Sequence, residues 1–257
     1  MNVFTQIGRA TLAIVREAGA LAIFAGRTIT ACVRPPFYLD QLAGQFLRLG
    51  YFSLPVVGLT AVFIGAALAL NIFVGGARFN AETFVPNIVV LGITRELGPV
   101  LAGLMLAGRV SAGVAAEIGT MRVTEQIDAL STLSTDPFRF LVAPRVLATT
   151  ISLPLLVVVA DIIGVMGGWL ISITSLGFNG SIYLQNTMKF LQPEDVFLGM
   201  TKAAVFGFII ATMGAYQGYH SKGGARGVGR AATNAVVASA VLILAANYII
   251  TSLWSHA

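Results

Sequence analysis

The run at 54–76, LPVVGLTAVFIGAALALNIFVGG, contains no charged residue. At 1.5 Å per residue a helix of that length rises about 35 Å, enough to cross a hydrocarbon layer about 30 Å thick. In lipid every backbone N–H and C=O must be paired within the protein, so a continuous apolar run of this kind folds as a helix. Four more long apolar runs follow, at 85–108, 146–177, 196–219 and 231–254. Only 11% of the 257 residues are charged, against about 25% in soluble globular chains. The pattern predicts an all-α integral membrane protein with five transmembrane helices.

The first fifty residues differ in character. Residues 10–33 are long enough to cross, yet Arg16, Glu17 and Arg27 interrupt them. An interfacial helix fits this pattern better: Leu12, Ile14, Val15, Leu21, Ile23 and Phe24 enter the headgroup boundary while Arg9, Arg16 and Arg27 stay at the surface. Charges inside the apolar stretch argue against a signal peptide. Pro35-Pro36 ends the element, because proline lacks the backbone donor and restricts the residue before it. The expected organisation is one domain over 1–257, with an interfacial segment at 1–50 and a polar segment at 109–145 between the second and third spans. No internal repeat or low-complexity tract is visible.

Basic residues favour the cytoplasmic side of short loops. Arg9, Arg16, Arg27, Arg34 and Arg48 precede the first span, Arg109, Arg122, Arg139 and Arg145 lie between spans two and three, and Lys222, Arg226 and Arg230 lie between spans four and five. The opposite loops hold only Arg78 and Lys189. This distribution places the N-terminus and 109–145 in the cytoplasm and the C-terminus outside. The net charge of +5 is therefore read as membrane topology, and scattered basic residues without interleaved exposed aromatics argue against nucleic acid.

Residues 95–130 combine both environments. Arg95 and Glu96 stand inside the second apolar run, and Glu117, Arg122, Glu125, Gln126 and Asp128 follow in a polar stretch. Val110, Val114 and Ile118, at four-residue spacing, are expected to hold one helix face against the bundle. Glu117, Glu125 and Gln126 are then available to a soluble partner, the alternative being a solvated charged face. Glu96, Asp161 and Lys202 are intramembrane charges, each costing on the order of 2.5–3.5 kcal/mol at a helix centre. Two readings stand for them: a structural pair of Glu96 with Lys202, or a polar point in a substrate path. Small residues four apart, Ala61/Gly65, Gly164/Gly168 and Gly214/Gly218, are candidate helix contacts.

Enzyme chemistry finds no support. The chain lacks a G-x-x-x-x-G-K-[ST] phosphate loop, its two histidines, His220 and His256, have no partner at ligand spacing, and Ser111, Ser131 and Ser134 have no accompanying base. Cys32 is the single cysteine, which excludes an internal disulfide and matches no metal spacing. The turn HSKGGARGVGR suggests a phosphate cradle at first sight, but inside-positive anchoring accounts for its basic residues more simply.

The blocks RELGPVLAGLMLAGR, AEIGTMRVTEQIDAL, DPFRFLVAPR and ISLPLL, with VFIGAAL at 62–68 and GVGRAAT at 227–233, resemble the MlaE/YrbE permease family, the membrane subunit of phospholipid-handling ABC transporters in Gram-negative bacteria. The resemblance implies an ABC-permease bundle acting as a homodimer in the inner membrane. It implies two ATP-binding subunits that carry the ATP and Mg, so that no cofactor is held by this chain. It also implies a STAS-domain subunit, a periplasmic hexamer of MCE-domain subunits, and a role in outer-membrane lipid asymmetry. Arg95, Glu96 and Lys202 match positions near the family's lipid cavity, and Glu117, Arg122, Glu125 and Gln126 fall in the segment set against the ATPase. Leu68, Ile72 and Phe79, near the outer end of the first span, are expected to line the tail pocket. One departure concerns Asn247, where an acidic residue is expected. The competing class is an ion-coupled secondary transporter or channel, against which five unequal spans without a repeat speak; a third is a membrane scaffold without a transport path.

Overall fold

The computed structural model describes residues 3–78 and 84–255. Eight helices account for nearly all of the described chain: α1 (Val3–Val33), α2 (Leu39–Ala77), α3 (Val85–Val123), α4 (Gln126–Thr132), α5 (Phe138–Ser175), α6 (Gly180–Phe190), α7 (Pro193–Tyr219) and α8 (Gly224–Ser255). No strand occurs among the described residues. Helices α2, α3, α5, α7 and α8 are long and apolar enough to cross a membrane, as the five apolar runs predict. They alternate between two ends of one bundle, one marked by α4 and the other by α6.

The helices extend past the apolar runs. The first crossing helix begins at Leu39 and takes in part of the segment expected to lie at the interface. It passes Arg48 through a widened π turn, Phe46–Gly50, whose last residue lies so close to α5 that a Cβ there would sit 2.7 Å from the Ser152 hydroxyl. The second continues through Gly108 to Val123 without a break. At 39 residues each, α2 and α3 are about 58 Å long, so both project well beyond the hydrocarbon. The 176–195 loop contains α6, started by Asn179, whose side chain accepts from the Ser181 and Ile182 N–H groups at 3.0 and 3.2 Å.

Helix α7 is the most enclosed of the five and α8 the least. Between crossing helices there is little hydrophobic drive in lipid, so close backbone approach supplies the packing. Gly65 of α2 meets Gly164 of α5 backbone to backbone, and a Cβ on Gly168 would stand 3.1 Å from the Gly65 carbonyl. Two of the small-residue stripes therefore face each other. The third, Gly214/Gly218 of α7, rests on α3, where added Cβ atoms would lie 2.8 Å from the carbonyls of Ser111 and Ala115. Val110, Val114 and Ile118 are all buried on that side of α3. Gly65→Val drives two methyl groups and a Cβ into the α5 backbone, beyond the 1–3 kcal/mol usual for overpacking. The expected outcome is loss of the monodisperse protein in detergent chromatography, whereas Gly75→Val, with open space around it, leaves the profile unchanged.

Helix α1 lies along the α4 end and is only partly a lipid-facing element. Leu12, Val15 and Ile23 are exposed, as an interfacial helix requires, but Phe24 turns into the protein and is 4% exposed. Its ring meets those of Phe138, Tyr216 and Tyr219 at 5.0, 5.4 and 6.0 Å, and the Tyr216 hydroxyl donates to Glu17 at 3.1 Å. The same docking covers Cys32, whose thiol is pushed up to about 11 by burial. Because the thiolate is the nucleophile, Cys32 is expected to react with iodoacetamide at pH 7.4 about a hundredfold more slowly than an exposed cysteine, a rate read by mass spectrometry of the intact chain.

Candidate functional site

The site is built on a distortion in α3. Residues Ile93–Leu97 form a π turn, a feature that widens a helix by one residue and is frequent at functional positions. Its cause is in the sequence: Pro99 has no N–H to return to the carbonyl of Arg95 four residues back. Lys202 of α7 occupies the opening, donating from Nζ to the Arg95 carbonyl at 2.7 Å and to Glu96 Oε1 at 2.8 Å. Gly199, one turn earlier on the same face of α7, allows this approach, because a Cβ there would collide with the Thr94 carbonyl.

Glu96 accepts further bonds from α8. Asn247 Nδ2 donates to Oε2 at 2.9 Å and the Thr251 hydroxyl to Oε1 at 3.1 Å. The pair is asymmetric: the Lys202 side chain is sealed at 0% exposure, while that of Glu96 is 40% exposed. Arg95 reaches the first turn of α7, 3.6 Å from Asp195 Oδ1, and is 38% exposed. Asp195 also caps that helix, accepting the Gln192 N–H at 3.1 Å. By helical rise Asn247 lies about 12 Å from the end of α8 and Lys202 about 14 Å from the start of α7. The network thus sits within the bundle, towards the α6 end.

The structure joins Arg95, Glu96 and Lys202 in one polar cluster. The residues that sequence reasoning missed are Thr251 and Asp195, and Asn247 entered only as a departure from an expected acid. A signal existed, since Asn247 and Thr251 are four apart in an apolar helix and so share a face. The third intramembrane charge, Asp161, lies apart, buried against Gly98, where any Cβ would collide with its Oδ1. Leu68 and Ile72 are half-buried and pack around Ala69, Val85, Val89 and Tyr183. The same cluster borders a cavity of about 360 Å³ lined by Phe73, Phe178, Ile182 and Tyr183. Phe79 lies outside the described residues.

At the α4 end the expected coupling residues divide. Glu117 is engaged within the chain: it binds Arg145 at 2.9 Å, whose side chain is buried at 9% exposure, and Arg48 at 3.1 Å. It ties α3 to α5 and α2, with its own side chain 38% exposed. Arg122 binds Asp128 at 2.6 Å and lies over the Tyr219 ring, which braces the junction of α3 and α4. Glu125 and Gln126 are exposed at that junction, with Glu125 in the left-handed region at φ 61°.

Comparison with known proteins agrees with this architecture. The family model for Permease MlaE matches residues 42–253. A probable ABC transporter permease protein of Rickettsia bellii is 53% identical over 254 residues, covering 99% of this chain and 98% of that protein. The intermembrane phospholipid transport system permease protein MlaE of Haemophilus influenzae is 32% identical over 256 residues, covering 98% and 97%. Protein TRIGALACTOSYLDIACYLGLYCEROL 1, chloroplastic, of Arabidopsis thaliana is 33% identical over 233 residues, covering 91% and 67%. With a five-helix crossing bundle, a polar cluster inside it and a family match over most of its length, the chain belongs to the MlaE permease family.

Proposed function

We propose that the chain is the permease subunit of an ABC transporter that moves phospholipid between the inner membrane and periplasmic lipid carriers, and so helps to maintain outer-membrane lipid asymmetry. It works as a homodimer, with ATP and Mg bound by separate ATP-binding subunits, a STAS-domain subunit on the cytoplasmic side and an MCE-domain hexamer on the periplasmic side. The observation that carries this reading is the cluster around Glu96: a held carboxylate and an open arginine at one level inside a membrane bundle. Arg95, bonded only loosely to Asp195, is the cation able to meet a lipid phosphate, and Glu96 is the anion able to meet a headgroup amine. Leu68 and Ile72 line the path for the tails nearer the outer end. The exposed apolar face of α8, with Val237, Val241, Leu244 and Tyr248, is offered to the second copy.

Orientation follows from charge. Arg34, Arg48, Arg122, Arg139, Lys222, Arg226 and Arg230 belong to the α4 end, against Arg78 and Lys189 at the α6 end. The excess supports a cytoplasmic α4 end, with the N-terminus inside and the C-terminus periplasmic. The test is purification of the tagged chain from its own membranes. Co-purification of an ATP-binding subunit and an MCE-domain subunit, with ATP-dependent transfer of labelled phospholipid between vesicles, is the expected result. A chain that isolates without an ATPase and supports flux driven by an ion gradient belongs to the ion-coupled class, and one whose transfer is untouched by Glu96→Gln does not carry lipid past the Glu96 carboxylate.

A further inference from the structure

Asp161 is the intramembrane ionisable group that the Glu96 cluster does not use. It stands near the midpoint of the apolar run 146–177, on α5, and is 7% exposed. Its Oδ1 is sealed and has no hydrogen-bond partner in the chain, and the residue forms no ion pair among the described residues. No cation is placed to reach it. Helices α2 and α8 carry no charged residue over 54–76 and 231–255. On α3, Arg95 turns to Asp195, and on α7, Lys202 is held by Glu96 and the Arg95 carbonyl. Arg145, on the same helix as Asp161, lies about 24 Å away by helical rise and binds Glu117. An ionised carboxyl at this place would be an uncompensated charge in apolar surroundings, far costlier than a neutral acid.

What faces Asp161 is itself an acceptor. A Cβ added to Gly98 would collide with Oδ1 and would also stand 2.9 Å from the Ile93 carbonyl oxygen, so the two oxygens crowd one point beside the α3 backbone. That carbonyl closes the π turn by accepting the Gly98 N–H five residues on, and a carbonyl oxygen has a second lone pair. Two acceptors set side by side repel unless a hydrogen lies between them. A protonated carboxyl supplies that hydrogen, because it carries one O–H donor beside its remaining acceptor capacity. Glycine at position 98 admits the carboxyl to the turn, as Gly199 admits Lys202.

We propose that Asp161 is a positioning residue held as the neutral acid, its O–H donating to the Ile93 carbonyl and so fixing the π turn that presents Glu96. The turn is then held at two points: Asp161 binds its first carbonyl and Lys202 the carbonyl of its third residue, Arg95. Asp161 acts on lipid only through Glu96, so its effect on transfer rests on Glu96 lying in the lipid path, while its protonation and its hold on the turn do not.

The experiment uses the full chain at pH 7.4 in a maltoside detergent, which contributes no carbonyl absorption. The infrared difference between wild type and Asp161→Asn is expected to contain a protonated-carboxyl band from the wild type, shifted in D2O. No such band overturns the neutral acid. Hydrogen–deuterium exchange on peptides spanning 93–98 reads the hold on the turn. Asp161→Leu keeps the size without the donor and is expected to exchange there about tenfold faster, the effect of losing one buried hydrogen bond. Asp161→Asn, whose amide donates in place of the O–H, is expected to exchange as the wild type does. Wild-type exchange in Asp161→Leu, equal acceleration in Asp161→Asn, or equal acceleration over 110–118 at the far end of α3 overturns the positioning role. Lipid transfer by the assembled transporter is expected to fall about tenfold in Asp161→Leu and to be preserved in Asp161→Asn. If the band and the exchange behave as expected while Asp161→Leu transfers lipid normally, Asp161 still holds the turn, and it is the place of Glu96 in the lipid path that fails.

Discussion

Glu96→Ala is expected to cost far more folded protein than Lys202→Met, although the two residues form one ion pair. The sealed partner decides the difference. Removing Glu96 leaves an ammonium at 0% exposure with only the Arg95 carbonyl to hold it, and breaking a buried pair in this way costs about 3–5 kcal/mol. Removing Lys202 leaves a carboxylate that is already 40% exposed and still accepts from Asn247 and Thr251. Methionine fills most of the vacated volume, so the main loss is the Arg95 carbonyl, at about 1–3 kcal/mol. The monodisperse fraction after heating in detergent reads the order, and a reversed order removes the asymmetry.

The same geometry says why exchanging the two charges is not a neutral control. With Lys202→Glu a carboxylate faces the Arg95 carbonyl, acceptor against acceptor, and with Glu96→Lys an ammonium meets the amide donor of Asn247. Only partial rescue of folding is expected from the exchange. Glu96→Gln is the better probe of function, since it keeps an acceptor for Lys202 and removes the charge. If the carboxylate belongs to the lipid path, this variant remains folded and transfers lipid at least about tenfold more slowly, the effect of roughly 1.4 kcal/mol. Wild-type transfer by a folded Glu96→Gln chain restricts the pair to a structural role.

The crossing helices were legible because lipid penalises charge so strongly that composition alone marks them. The same penalty made Glu96 and Lys202 stand out, and pairing them required only that two costly groups share their cost. Gly65 and Gly164 were legible for a related reason, since close approach in lipid demands small residues. What stayed hidden needed tertiary adjacency. Nothing local to Glu117 says that Arg48 and Arg145, on two other helices, bind it. Asn247 and Thr251 are unremarkable polar residues until α8 is laid beside the π turn. That turn had a local cause in Pro99, but proline in the first turn of a helix and proline within one read alike until the helix is seen to continue. The start of α2 at Leu39 was obscured by Asp40 and Arg48, which stand on a helix projecting beyond the apolar run.

Glu125→Lys is expected to lower lipid-stimulated ATP hydrolysis by the assembled transporter about tenfold or more while leaving the isolated chain as stable as before. The side chain is exposed and has no ion pair among the described residues, and surface changes of this kind usually alter stability by less than about 0.5 kcal/mol. Any large effect must therefore arise in contact with another subunit. Glu125→Gly extends the argument, because glycine adopts the positive φ of this position without strain and removes the side chain together with its charge. It should lose hydrolysis as the reversal does, with no loss of stability. Glu117→Gln is predicted to behave in the opposite sense: it leaves Arg145 buried without its anion, so the bundle is destabilised by a few kcal/mol and hydrolysis falls only with the amount of folded protein. Specific activity, normalised to intact complex, separates the two residues. Normal hydrolysis in Glu125→Lys, with assembly preserved, would remove the exposed turn from the route between the ATP-binding subunit and the polar cluster of α3.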